Sequence, residues 1–186
     1  MPTDIVEVGD IVAQPFHQIP GQYTSWVRPL QPGYSVGHWA ITAGTIGAIA
    51  TDGDNLGILS NNHILANGAS VEHPERARMW DMVLQPGPHD GGLFGEDTVA
   101  FLTKWQPLNE VEPNELDIAW AMLIRNMAIK LAWPQLRPAR RLRQAEVGLA
   151  AIKVGRTSGL KVGQVVDTAF AGRIGYAGFS ALFTHQ

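Results

Sequence analysis

From residue 36 onward, apolar and polar positions fall into short alternating runs broken by turn residues. This pattern predicts strands rather than helices. Residues 38–43 alternate loosely, and 45–51 are small and β-branched. Asp52-Gly53-Asp54-Asn55 has the composition of a hairpin turn, and 56–60 reads as the returning strand, ending at Asn61-Asn62-His63. Residues 67–92 read mostly as loop, broken by Gln85-Pro86-Gly87-Pro88 and Asp90-Gly91-Gly92. A strand is predicted at 98–105 and a polar loop at 107–115. Residues 118–123 fit either a buried strand or the start of a helix. Further on, 147–154 and 160–166 read as strands flanking the turn 155–159, and the glycine-spaced tail 171–183 as one more strand pair. Residues 1–27, punctuated by Pro15, Pro20 and Gly21, form a lead-in of weak periodicity.

Twenty glycines and twelve prolines among 186 residues strengthen the mainly β reading, because many turns must join short segments. The absence of cysteine excludes disulfides, thiolate metal sites and cysteine nucleophiles. It also fits a reducing compartment. Residues 1–11 are acidic and lack a long apolar run, so no signal peptide is expected. The longest apolar stretch, 118–133, is interrupted by Arg125, Asn126 and Lys130, and no membrane span is expected. The expected location is therefore cytoplasmic. A net charge of −3 gives no reason to expect nucleic acid as a partner. Six of the fourteen basic residues fall in 125–143, where no acid occurs, and this segment reads as a solvated linker.

Two segments carry candidate chemistry. In Ile58-Leu59-Ser60-Asn61-Asn62-His63-Ile64-Leu65-Ala66 a histidine ends a strand; in Leu116-Asp117-Ile118-Ala119-Trp120-Ala121 an aspartate stands at the mouth of an apolar run. A half-buried carboxylate needs a partner, and an imidazole N–H supplies one. Such a pair fixes the tautomer and leaves the second ring nitrogen free as a general base. Taken singly, His63 is also readable as a structural histidine, and Asp117 as the cap of a helix starting at Ile118.

The two segments, together with Thr42-Ala43-Gly44-Thr45-Ile46-Gly47, Leu84-Gln85-Pro86-Gly87-Pro88-His89-Asp90-Gly91-Gly92 and Lys153-Val154-Gly155-Arg156-Thr157-Ser158-Gly159-Leu160-Lys161-Val162-Gly163, give the chain a resemblance. Over 28–186 it is similar to the chymotrypsin/trypsin clan of serine peptidases, and most to a bacterial branch without signal peptides. The resemblance implies a chymotrypsin-like double antiparallel β-barrel with the site between the barrels. It makes His63 the general base and Asp117 its orienting acid. It places the nucleophile serine, in a Gly-Asp-Ser-Gly context, and the oxyanion-hole donors beyond residue 186. The chain would then be the truncated N-terminal portion of a serine endopeptidase, inactive alone. Its first barrel would be 28–123, its linker 124–146 and its incomplete second barrel 147–186. The sequence departs from the family at Trp120, after Ile118-Ala119, and at Trp80, before Asp81.

The implied partner is a peptide or protein substrate. Open strand edges in the partial barrel predict self-association, or binding of the missing C-terminal segment. No cofactor or metal is expected, since His17, His38, His63, His73, His89 and His185 are scattered without ligand spacing. Two other readings remain. One is a non-catalytic relative that binds peptides or partners. The other is an α/β-hydrolase esterase using Ser35, because Gly33-Tyr34-Ser35-Val36-Gly37 matches a nucleophile elbow. Ser60 and Ser158 read as turn hydrogen-bonders, and His38 as a packing residue.

Overall fold

The computed structural model describes residues 11–12, 23–41 and 43–184, and these are mainly β. The strands are β1 (Ile11–Val12), β2 (Ser35–His38), β3 (Gly44–Thr45), β4 (Ala48–Thr51), β5 (Leu56–Ser60), β6 (Met82–Leu84), β7 (Thr98–Trp105), β8 (Ala119–Leu123), β9 (Ala150–Gly155), β10 (Gly159–Gln164), β11 (Gly172–Tyr176) and β12 (Phe179–Phe183). One helical turn, α1 (Asn62–Leu65), follows β5, and single 3-10 turns lie at Pro74–Arg76 and Pro88–Asp90.

Seven strands form one antiparallel sheet in the order β3-β2-β6-β7-β8-β5-β4. Its two edges, β3 and β4, are neighbours in the chain, so the sheet curls. The predicted continuous strand 45–51 is broken at Ile46-Gly47. Ile46 N–H donates to Tyr34 O on the β2 side (2.9 Å), while Gly47 N–H donates to Leu59 O on the β5 side (3.0 Å). A Cβ at 47 would stand 2.9 Å from Leu59 O, so glycine permits the bend. Val36, Ile46, Ile58, Val83, Leu102, Ala121 and Leu123 fill the concave side and are buried.

Position 120 explains its own oddity. The indole of Trp120 lies over Gly57 on the neighbouring strand, where any Cβ would run into it. Lys104 Nζ sits 5.2 Å from the Trp120 ring centroid and pairs with Asp52 of the hairpin turn at 3.0 Å. The turn itself is held by the Asp52 carboxylate, which accepts from Asp54 N–H (3.2 Å) and Asn55 N–H (2.9 Å).

Residues 118–123, left open between strand and helix, contain strand β8. Residues 67–92, read as loop, contain β6, a three-residue strand too short for alternation to register. The segment that reads as a solvated linker lies against the curled sheet for its first half. Leu30 N–H donates to Ala128 O (2.7 Å), Gln31 Nε2 to Ala132 O (2.7 Å) and Trp133 Nε1 to Gly47 O (3.0 Å). From 137 to 146 every residue is exposed.

The last part of the chain forms two hairpins that belong to different sheets. β9 and β10 make a two-stranded ribbon, while β11 and β12 are joined by β1 in a sheet of three. The tail sheet has its own small core of Leu108, Ala181 and Phe183. Asn114 stitches it to the 107–115 loop by donating its N–H to Leu182 O (2.8 Å) and accepting from Thr184 N–H (3.0 Å).

The ribbon is fastened at its turn. Arg156 donates to both carboxylate oxygens of Asp90, from Nε and from Nη2, each at 2.5 Å. Asp90 also accepts from the buried Ser35 hydroxyl (2.5 Å). Both charged side chains are largely sequestered, at 15% and 6% exposure, so neither tolerates loss of the other. Arg156→Met is expected to lower unfolding free energy in urea by about 3 kcal/mol, while Asp90→Leu combined with Arg156→Met recovers much of that loss. Additive losses would show that the two groups are not coupled.

Candidate active site

His63 and Asp117 lie side by side because β5 and β8 are antiparallel neighbours. Ser60 pairs with Ala119, so the chain leaving β5 passes the chain entering β8. After β5, Asn61 adopts an extended backbone and caps α1, its carbonyl accepting from Ile64 N–H (3.1 Å) and Leu65 N–H (3.0 Å). The fully buried Asn62 pins the turn from below. Its Nδ2 donates to Ala69 O (3.0 Å) and Gln106 O (2.6 Å). Ile64 and Leu65 point into the core, which leaves His63 on the outer face at 27% exposure. Asn61 Nδ2 reaches across to Asp117 O (3.0 Å) and fixes the two segments laterally.

The carboxylate of Asp117 is the centre of the arrangement. It accepts from His63 Nδ1 at 2.5 Å, from His63 N–H at 3.3 Å and from the Tyr176 hydroxyl at 3.1 Å. Burial penalises its charge. The hydrogen bond and field of His63, with the Tyr176 hydroxyl, outweigh that penalty and hold the carboxyl below the usual aspartate range. Tyr176 moves the opposite way: burial first, then the Asp117 charge, push its phenol well above the ordinary tyrosine value, so it stays a donor. An ionised carboxylate only accepts, so Nδ1 of a neutral His63 carries the proton and Nε2 keeps its lone pair. Among the described residues no group hydrogen-bonds Nε2. The arrangement sets the tautomer of the imidazole and leaves its second nitrogen unengaged on a side chain that is 27% exposed.

None of the three serines considered from sequence is brought to His63. Ser35 is fully buried in β2, donates to Asp90 and accepts from Gly87 N–H (3.0 Å). It stands within an antiparallel sheet, followed by a turn and not a helix, so the esterase elbow lacks its strand-to-helix context. Ser60 donates to Thr45 O (2.7 Å), and Ser158 lies in the turn between β9 and β10.

His38 forms a second imidazole–carboxylate pair, Nε2 to Asp81 Oδ2 at 3.0 Å, while its Nδ1 accepts from Ala40 N–H (3.1 Å). Both nitrogens are used and the ring is 1% exposed, so it is a packing residue with no nitrogen left for chemistry. Burial, only partly offset by Asp81, depresses its pKa. His17 and His185 lie outside the described residues. Sequence reasoning missed Tyr176, which lies 59 residues beyond Asp117 in a glycine-rich tail with no spacing that links the two.

No family model matches the chain, and no curated protein matches it significantly.

A carboxyl depressed on folding adds stability that is complete above its unfolded value and disappears as pH falls through the folded one. The stability difference between wild type and Asp117→Asn is therefore expected to be largest near neutral pH and to shrink below about pH 4. Chemical denaturation across that range checks it; a difference independent of pH would show that the ionised carboxylate contributes nothing.

Proposed function

We propose that this chain is the N-terminal portion of a trypsin-like serine endopeptidase, contributing the base-and-acid half of the triad. The observation that carries the reading is the 2.5 Å contact between His63 Nδ1 and Asp117 beside an unengaged Nε2. In the proposed reaction a serine from outside the described residues faces Nε2. His63 takes its proton as the hydroxyl oxygen attacks the peptide carbonyl, then returns that proton to the leaving amine. Asp117 stays ionised, orienting the ring and stabilising the transient imidazolium. On this reading the curled seven-stranded sheet is the first chymotrypsin-like barrel, and the β9–β10 ribbon begins the second. A cytoplasmic location fits the lack of cysteines.

The test uses the protein from its native source, weighed intact and assayed on casein. The expected result is a mass above the 20.2 kDa of the 186 residues, and hydrolysis that falls on the order of 10⁴-fold in His63→Ala. Hydrolysis that survives His63→Ala overturns the reading. A 20.2 kDa protein without hydrolysis overturns it in favour of the second reading, a peptide- or partner-binding relative of the fold. That second reading draws its support from the serines, since Ser35 and Ser60 are committed elsewhere.

The partner reading draws on the ribbon. Ile152 and Val162 are direct cross-strand partners, and both are exposed, at 54% and 74%. A two-stranded ribbon whose edges pair with no other strand among the described residues, and which carries an exposed apolar pair, is a template for further strands. The 186-residue chain is expected to self-associate with concentration in light scattering, and Ile152→Lys with Val162→Lys to restore the monomer. A wild-type monomer at every concentration would remove the self-association reading.

A further inference from the structure

We propose that Tyr176 is a positioning residue for the His63–Asp117 pair: its hydroxyl holds the carboxylate in register with Nδ1, and its ring walls one face of the imidazole. The inference rests on the pair being the working site, and it adds a third member delivered by a separate sheet.

The side chain is placed from several sides. β11 and β12 pair Tyr176 with Phe179 in register, and their rings stack at 5.0 Å with 18° between planes. The Arg76 guanidinium lies 5.2 Å from the Phe179 ring centroid. Phe183, from the tail core, approaches the Tyr176 ring from another side, with centroids 6.4 Å apart. The phenol is thus fixed before it reaches the site. There its ring centroid is 5.5 Å from that of His63, tilted by 57°. Its hydroxyl ends 3.1 Å from Asp117 Oδ2, the same oxygen that accepts from Nδ1.

Sharing one oxygen is the informative feature. A carboxylate held only by the imidazole can rotate and swap its oxygens. A second donor on Oδ2, with His63 N–H on Oδ1, leaves a single orientation. The titratable groups facing this carboxylate are His63, from α1, and Tyr176, from β11. Arg76 lies over Phe179 and forms no ion pair with Asp117 among the described residues.

The test is made on the 186-residue protein by NMR, with no substrate. It reads the Asp117 carboxyl titration and the exchange of the His63 Nδ1 proton with water. Tyr176→Phe keeps the ring stack and removes only the hydroxyl. The expected result is an Asp117 titration moved to higher pH and Nδ1–H exchange about tenfold faster, the effect of losing one hydrogen bond to a charged group. A variant that changes thermal stability but leaves both readouts at wild-type values overturns the proposal and makes Tyr176 a structural residue only. If Tyr176→Phe does not fold, 3,5-difluorotyrosine at 176 keeps the shape and strengthens the donor. The Asp117 titration then falls, and an unchanged titration overturns the proposal. These readouts are independent of casein hydrolysis, so failure of the peptidase reading and failure of this inference appear in different experiments.

Discussion

A carboxylate removed from water has to be surrounded by donors, and Asp90 meets that demand with groups from two distant parts of the chain. Arg156 grips both its oxygens from the β9–β10 turn, Ser35 donates from β2, and the backbone of the Pro88–Asp90 turn carries it into place. Burying such a pair adds little net stability compared with apolar packing. What it fixes is position, because the guanidinium fork accepts the carboxylate in few orientations. Arg156 N–H and carbonyl are engaged as well, with Thr45 and Tyr23, so the ribbon turn is tied to the barrel by backbone and side chain together.

Asp117 repeats the device at the candidate site with a different outcome. Its donors are neutral or titratable and not a permanent cation, so the charge that Asp90 neutralises outright is at Asp117 shared among an imidazole, an amide and a phenol. A fixed guanidinium makes a clasp. An imidazole beside the carboxylate keeps its second nitrogen unengaged among the described residues. His38–Asp81 shows the third possibility, an imidazole with both nitrogens consumed and no access to solvent. Three buried or half-buried aspartates thus differ in what their partner has left over: a guanidinium held at both oxygens, an imidazole with one nitrogen unengaged, and an imidazole with both nitrogens consumed.

The sequence carried the strand content and the His63–Asp117 pairing well. Alternation at 98–105, the Asp52–Asn55 turn and the hairpin after residue 147 are local signals, and local signals survive without tertiary context. The break at Ile46-Gly47 was not readable, because it arises from closure of a sheet whose partners, β2 and β5, lie on opposite sides in space. β6 was hidden for lack of length. The anchoring of 124–136 was hidden because hydrogen bonds from Gln31 and Trp133 leave no trace in composition. Tyr176 was hidden for the same reason as the sheet closure: what matters is where a tail hairpin docks, and residues 172–183 signal only that a hairpin exists.

The placement of that hairpin well after β8 in the sequence also sets an order of assembly. The strands of the curled sheet up to β8 hold His63 and Asp117, and every contact between those two is available once residue 123 has been made. The phenol arrives only after β11 has been synthesised and paired with β12. A chain emerging from the ribosome N-terminus first therefore passes through a stage in which the carboxylate has its imidazole partner but is short of one donor. Docking of the tail supplies that donor over a long sequence separation, a type of contact that forms late in folding because its loop entropy must be met first. The full donor set of the carboxylate thereby waits on the synthesis and pairing of β11 and β12.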